Sequence, residues 1–213
     1  ICGGGFIGIE LAENLAGLGM DVYIVELAPQ VMTPVDPEII SFVHARLRKA
    51  GIKLIFNDSI TEISDNGTGL SVSLAGGRSI ETDIAVLAVG VVPETDLAGK
   101  AGLELGIKGS IITDDHMRTS IPDIYAAGDA VQVKNAVSGA DAVISLAGPA
   151  IRQARIAADN ICGLDSAYAG SMGSSVIKIF DMTLAFTGLN ERAAKAAGIP
   201  CDKIFLSPAN HAG

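Results

Sequence analysis

Ile1-Cys2-Gly3-Gly4-Gly5-Phe6-Ile7-Gly8-Ile9-Glu10 is the stretch that decides the fold. It reads as the end of a buried strand, a tight glycine turn and the start of a helix. Gly3-x-Gly5-x-x-Gly8 has the spacing of the dinucleotide-binding fingerprint. Gly3 permits the sharp turn out of the strand, Gly5 lets a pyrophosphate approach the backbone, and Gly8 lets the helix pack close to the sheet. The helix start offers free N–H groups and a partial positive charge to the phosphates. Ile7, Leu11, Leu15 and Leu18 continue it as an apolar stripe at helical spacing, and Gly19 ends it. Asp21-Val22-Tyr23-Ile24-Val25-Glu26 follows as a second strand closing on an acid. In a chain with 25 glycines the spacing alone is weak. The succession of strand, turn, helix, strand and acid gives it its weight.

Glu26 selects the nucleotide. A carboxylate at the end of the second strand accepts hydrogen bonds from the ribose hydroxyls and repels a 2′-phosphate. The following Leu27-Ala28-Pro29-Gln30 has no Arg or Lys to hold that phosphate. The residues therefore predict NAD(H) over NADP(H).

The 213 residues suit one large domain or two small ones. With 49% hydrophobic and 18% charged residues, a well-buried core is expected. A net charge of -9 argues against nucleic acid and anionic membranes as partners. No apolar run approaches the roughly 20 residues that span a bilayer. Cys2, Cys162 and Cys201 are too far apart for any CxxC pattern, which suits a reducing cytoplasm. Cys2 and Cys162 read as inert buried positions, and Cys201 as an exposed turn residue. The apolar opening without Met or polar lead-in predicts a piece of something longer.

Farther along, Asp36-Pro37-Glu38 opens a helix with Asp36 as N-cap and Pro37 in its first turn. That helix buries Ile40, Val43 and Leu47, and its basic end suits the helix dipole. Residues 52–56 read as the next parallel strand. Residues 60–63 and 70–74 read as short strands around an Asp65-Asn66-Gly67 turn, with a second hairpin at Gly76-Gly77. Residues 84–90 read as a fully apolar strand of parallel-sheet type. Gly90 is placed to come close to a ligand, and Pro93 sets a boundary.

Beyond it, residues 97–102 predict a short helix and 109–113 a strand. Residues 124–127 predict a short buried strand delivering Gly128 and Asp129 at its carboxyl end, where ligands sit in open α/β sheets. Pro149 opens a helix through Ile161 whose small starting residues, Ala147 and Gly148 among them, permit a flat ligand to approach. Residues 176–180 and 184–188 predict antiparallel strands, Asn190 caps a short helix, and 203–206 predict another strand. No metal-ligand cluster is apparent, and His44, on an amphipathic helix, and His116, in a loop, read as structural.

Three segments together resemble the flavin-dependent pyridine nucleotide-disulfide oxidoreductases. They are the opening Gly3-to-Glu10 motif, Ala88-Val89-Gly90-Val91-Val92-Pro93, and Thr119-Ser120-Ile121-Pro122-Asp123-Ile124-Tyr125-Ala126-Ala127-Gly128-Asp129. Leu146-Ala147-Gly148-Pro149-Ala150-Ile151-Arg152-Gln153 and the closing Ser207-Pro208-Ala209-Asn210-His211-Ala212-Gly213 resemble the coenzyme A-disulfide reductase, NADH oxidase and persulfide reductase branch. The fold expected is α/β, with three parts. Residues 1–92 form a Rossmann-like NAD-binding domain with a β-meander insert. Residues 93–168 form the second half of an FAD-binding α/β domain, and 169–213 the start of an α+β dimerisation domain.

The resemblance implies FAD and NAD(H) as cofactors and hydride transfer from NADH to FAD. Electrons then pass to a disulfide, persulfide or coenzyme A-disulfide, or to oxygen. It implies a homodimer for the full-length protein. Asp129 is implied to bond the flavin's ribityl–pyrophosphate region, and Ala147 to face the isoalloxazine at a helix start. Phe6, Ile7 and Glu10 are implied at the nicotinamide side, with Gly90 against NADH. Ile151 and His211 are implied near substrate, although Ile151 stands where the branch often has Asn or His. The family's redox cysteine lies in a preceding FAD-binding segment, and none of the three cysteines here matches it, so no catalytic residue is assigned within this chain. An isolated NAD-binding module without flavin is the alternative.

Overall fold

The computed structural model describes residues 1–208, so His211 lies outside the described residues. From Gly5 the chain enters helix α1 (Phe6–Gly17), and strand β1 (Tyr23–Glu26) follows. Helix α2 (Pro37–Lys49) leads to β2 (Lys53–Phe56), which pairs parallel with β1. Cys2 bridges Val25 on one side and Leu87 on the other, both parallel. The Cys2 N–H donates to the Val86 carbonyl at 2.8 Å, and the Ala88 N–H to the Cys2 carbonyl at 2.7 Å. Numbering the four segments as they come in the chain, their order across the sheet is 3-2-1-4, the doubly wound order that puts a crevice at the carboxyl ends.

Both helices end as their glycines require. The Gly19 N–H donates to the Ala16 carbonyl and the Met20 N–H to the Leu15 carbonyl, with Gly19 at φ +84°. Gly51 and Ile52 repeat this pairing on Arg48 and Leu47, with Gly51 at φ +86°. In α2, Ile40, Val43 and Leu47 are buried as their spacing predicts. Asp36 differs from expectation: its side chain caps nothing in α2 and accepts the Glu191 N–H at 3.1 Å. The expected stripe of α1 also differs. Gly8, Ile9 and Ala12 are buried, whereas Ile7 and Leu18 are exposed. The buried face is thus Gly8, Ile9 and Ala12, with Gly8 passing close over the turn.

The antiparallel meander is β3 (Ile60–Asp65), β4 (Leu70–Leu74) and β5 (Ser79–Thr82). Asp58, 6% exposed, anchors it by accepting from the Gly76 N–H at 2.9 Å and Arg78 Nη2 at 3.1 Å. Those bonds hold its carboxyl below the usual range, the Gly76 amide first.

The segment at 84–90 is not the fully buried strand its composition predicts. It touches the sheet through one bridge at Leu87, while Ile84, Leu87 and Val89 are exposed. Its apolar residues find a neighbour strand on one edge and no cover on their outer side.

Helix α3 (Asp96–Lys100), a 3-10 turn (Ile107–Gly109) and β6 (Ile111–Ile112) open the second unit. β6 pairs parallel with β7 (Val131–Lys134), which pairs antiparallel with β8 (Asp141–Ala142). The expected strand at 124–127 is a single antiparallel bridge between Arg118 and Tyr125, with Ile124 exposed. Helix α4 (Ala147–Ile161) starts two residues before Pro149, which occupies its third position. Cys162 caps that helix's carboxyl end and is exposed rather than buried.

Strands β9 (Ser175–Ile179) and β10 (Met182–Phe186) pair antiparallel as predicted, and Asn190 caps α5 (Glu191–Ala196) by accepting the Ala193 N–H. Ile177, Ile179 and Leu184 share one core cluster with Ile9, Ala12, Ile40, Val43 and Leu47. The hairpin turn is fastened to both helices. The Phe180 N–H donates to Glu13 at 2.8 Å, Arg46 lies 4.2 Å over the Phe180 ring, and Arg46 also pairs with Asp181. Residues 203–206 form no strand; Ile204 and Leu206 are exposed, and Lys203 is instead drawn into ion pairs with Glu38 and Glu191.

Candidate functional site

The glycine turn stands at the carboxyl end of the sheet, and its geometry explains each glycine. Gly3 has φ +105°, and a Cβ there would lie 2.3 Å from the Ala88 carbonyl oxygen. A Cβ on Gly8 would lie 2.0 Å from the Gly3 carbonyl oxygen, so the helix passes directly over the turn. A Cβ on Gly5 would meet nothing within 4 Å. Gly5 is thus the glycine with open space before it. It is also the N-cap of α1, and no side chain caps that helix, so the first-turn amides face outward unpaired by the helix itself.

Glu26 ends β1 beside this turn. Its carboxylate accepts the Gly4 N–H at 2.6 Å and the Ala28 N–H at 2.8 Å. Gly4 is a residue that sequence spacing passes over. A Cβ there would lie 2.7 Å from Val31 Cγ1, and its carbonyl accepts the Met32 N–H at 2.9 Å. The loop after β1 therefore folds back onto the turn and locks the acid to it.

Among the other residues expected here, Ile7 and Glu10 are exposed on α1. Phe6 is half-buried and stacks on Phe186, with centroids 6.0 Å apart. Gly90, at φ +109° with open space around it, is exposed and follows the Ala88 that abuts Gly3.

A second group gathers at α4. Gly128 has φ +98°, and its N–H donates at 2.8 Å to Gln153 Oε1, a side chain 1% exposed. Asp129, Ala147 and Ile151 are all exposed. Leu146 is the N-cap of α4 and supplies no side-chain bond, so this helix start is also uncapped. A lone Gln on a helix carries no sequence signal of the distant glycine that Gln153 serves. Among the described residues no hydrogen bond joins this group to the glycine turn.

Two other features lie elsewhere. A cavity of about 220 Å³, lined by Val22, Val25, Val72 and Ile80 among others, sits toward the amino ends of the strands and contains none of the glycines above. Asp114, Asp115 and His116 come together in the second unit. There the His116 ring nitrogens meet Asp115 at 2.7 Å and Asp165 at 2.9 Å, so both are engaged by carboxylates. These bonds, Asp165 first, raise the pKa of His116.

Residues 1–158 match the family model described as pyridine nucleotide-disulphide oxidoreductase. A protein named NADH oxidase from Methanocaldococcus jannaschii is 35% identical over 201 residues, covering 94% of this chain and 44% of the relative. The crystal structure of reduced Bacillus anthracis CoADR-RHD is 46% identical with a TM-score of 0.90, over 93% of this chain and 36% of that one. An NAD-dependent persulfide reductase from A. fulgidus is 35% identical with a TM-score of 0.89, over 92% of this chain and 37% of that one. The chain thus spans less than half the length of each.

Proposed function

The chain belongs to the pyridine nucleotide-disulphide oxidoreductase family, and from that premise we propose that it is the nucleotide-binding portion of an NADH-dependent flavoprotein oxidoreductase. The observation that carries this is the glycine turn: open space at Gly5, an uncapped helix start behind it, and an acid locked alongside. The residues present fit NAD(H) there. The α1 amides and Gly5 hold the pyrophosphate, and Glu26 has lone pairs left to accept from the ribose hydroxyls. Ile7 and Glu10, exposed on the same helix, border the nicotinamide together with Gly90, while Phe6 supports the turn from the core.

The α4 group fits FAD. Asp129 accepts hydrogen bonds from the ribityl–pyrophosphate region, Gly128 lets the backbone turn beneath it, and the uncapped helix start at Ala147 favours negative charge on the ring. When bound, these cofactors supply hydride from NADH and its onward passage as electrons. The acceptor we favour is a disulfide, persulfide or coenzyme A-disulfide, in line with the persulfide reductase and CoADR-RHD likenesses. Ile151, 70% exposed on α4, is the described residue we place nearest to it. Oxygen is the second reading, favoured by the relative named NADH oxidase. We read residues 1–92, 93–168 and 169–213 as the NAD, FAD and dimerisation parts. Val176, 67% exposed on the hairpin, supports an interface there in a homodimer. No helix among the described residues is long and apolar enough to cross a membrane, and three free cysteines suit the cytoplasm.

An absorption spectrum of the purified chain, taken before and after anaerobic NADH, tests this reading. A flavin spectrum that bleaches is the expected result. NADH binding without flavin reduces the chain to a nucleotide-binding module, and a chain that shows no flavin and binds no NADH overturns the proposal.

A further inference from the structure

We propose that His44 is a positioning residue for the nicotinamide-nucleotide loop, holding the glycine turn in its binding shape through the Val31 amide. This rests on the reading of the glycine turn as the NADH site. His44 lies on α2, away from the turn, and is half-buried with its ring tilted on Phe56 at 4.7 Å between centroids. Its Nε2 is 3.3 Å from the Val31 nitrogen. A backbone N–H can only donate, so Nε2 accepts and the proton of the neutral ring sits on Nδ1.

Val31 is where that bond gains its reach. It is fully buried, and its side chain is the surface against which Gly4 packs. The next residue, Met32, is held at φ +48° and donates its N–H to the Gly4 carbonyl. Gly4 in turn donates its own N–H to Glu26. Three hydrogen bonds, joined through the Val31–Met32 peptide and through Gly4, therefore run from the imidazole to the carboxylate proposed to hold the ribose. At its far end the same loop is tied down by Asn190 Nδ2 and Arg192 Nη2, both donating to the Thr33 carbonyl at 3.1 and 2.7 Å.

Protonation makes Nε2 a donor and sets it against the Val31 N–H. Burial and one neighbouring cation favour the neutral form. Arg48 lies one turn along the same helix, Phe56 presents an aromatic face from β2, and the loop presents Val31. Glu26, on the strand beside β2, has its oxygens turned to Gly4 and Ala28. Burial, and then the Arg48 charge, lower the His44 pKa.

The test is NADH titration of the full chain by nucleotide fluorescence at about pH 7.5 and about pH 4.5, the second well below the ordinary imidazole value because the folded ring titrates lower. Wild type, His44→Gln and His44→Leu are compared. We expect the wild-type Kd to rise about five-fold at the acid pH, the scale of one neutral hydrogen bond. His44→Leu should bind weakly at both values. In His44→Gln the amide oxygen can accept from Val31 without titrating, so it should recover the neutral-pH affinity and lose the acid dependence. A wild-type Kd indifferent to pH overturns the proposal, as does a His44→Gln that keeps the full dependence. If wild type binds no NADH at about pH 7.5, the NADH site itself is wrong and this inference falls with it.

Discussion

The two glycine turns of the molecule, at Gly3–Gly8 and at Gly128, meet the same requirement in different ways. Both have a glycine at strongly positive φ that meets a helix without a side-chain N-cap, Gly3 at Gly8 of α1 and Gly128 at Gln153 of α4. The first turn is packed backbone on backbone, Gly3 against Ala88 and Gly8 against Gly3, with no space for a Cβ at either, and Glu26 accepts the Gly4 N–H between them. The second has free space around Gly128 and is held by one buried side chain from α4, Gln153. The Gly8-on-Gly3 contact is written in local glycine spacing. A turn locked by a side chain 25 residues away is not.

Gly8→Ala should break the first turn with the largest effect. The added methyl would lie 2.0 Å from a backbone oxygen that no flexible side chain can move aside. A loss on the order of 3 kcal/mol or more in urea unfolding is expected, at the upper end of overpacking costs. Gly5→Ala is the matched contrast. With nothing within 4 Å of its Cβ, stability should change by about 1 kcal/mol or less, the cap preference, while NADH affinity falls. Equal destabilisation by both would mean that Gly5 is a structural glycine and not the point of ligand approach.

Gln153→Leu addresses the second turn. It leaves the Gly128 N–H without its partner beneath a buried side chain, at a cost of about 1–2 kcal/mol. Flavin retention should fall with it, because Asp129 follows directly on Gly128. Unchanged stability would show that the turn is held by its neighbours and that Gln153 is a bystander.

Glu26→Arg should act on preference more than on folding. It removes acceptors from the Gly4 and Ala28 amides and brings a cation to where a 2′-phosphate would lie. The NADPH-to-NADH affinity ratio should rise at least about ten-fold, or about 1.4 kcal/mol. An unaltered ratio in paired titrations would remove the role assigned to Glu26.

What the sequence disclosed follows the same division. The glycine turn, α1 and β1 were readable because neighbours in sequence are neighbours in space. So were the Ile40, Val43 and Leu47 face of α2, the β9–β10 hairpin and the Asn190 cap. Composition misled at 84–90, 124–127 and 203–206. An apolar run reports compatibility with a sheet, whereas forming one needs partners that only the tertiary fold supplies. β7 and β8 escaped notice for the converse reason: Val131-Gln132-Val133-Lys134 alternates as a half-buried strand does but is only four residues long, and it forms by pairing with β6 and β8. At the site, Gly4 and Gln153 were missed because their functions lie in contacts with Val31 and Gly128 that no spacing encodes.

The smallest expected effect separates the two units by the sign of their response to pH. His44 in the first unit has a lowered pKa, from burial and then Arg48. The folded first unit therefore binds fewer protons there than the unfolded chain does. Its contribution is present above the ordinary imidazole value of about 6.5 and is lost as pH falls from there through the lowered folded value. His116 in the second unit is raised by Asp165 and then Asp115. Its contribution is complete below about 6.5 and is lost as pH rises through the raised folded value. That ion pair ties the loop at 114–116 to Asp165 beyond α4, where Asn160 also bonds the His116 and Ser166 carbonyls. Amide hydrogen exchange, corrected for its intrinsic pH dependence, can follow both regions in one sample. Between about pH 5.5 and about pH 8, protection around residues 31–35 should increase while protection around 163–168 declines. The second change should be slight, since exposed ion pairs contribute little, and His116→Gln should abolish it while leaving the first. If both regions move in the same direction, the opposite environments assigned to the two histidines are wrong, whatever their hydrogen-bond distances.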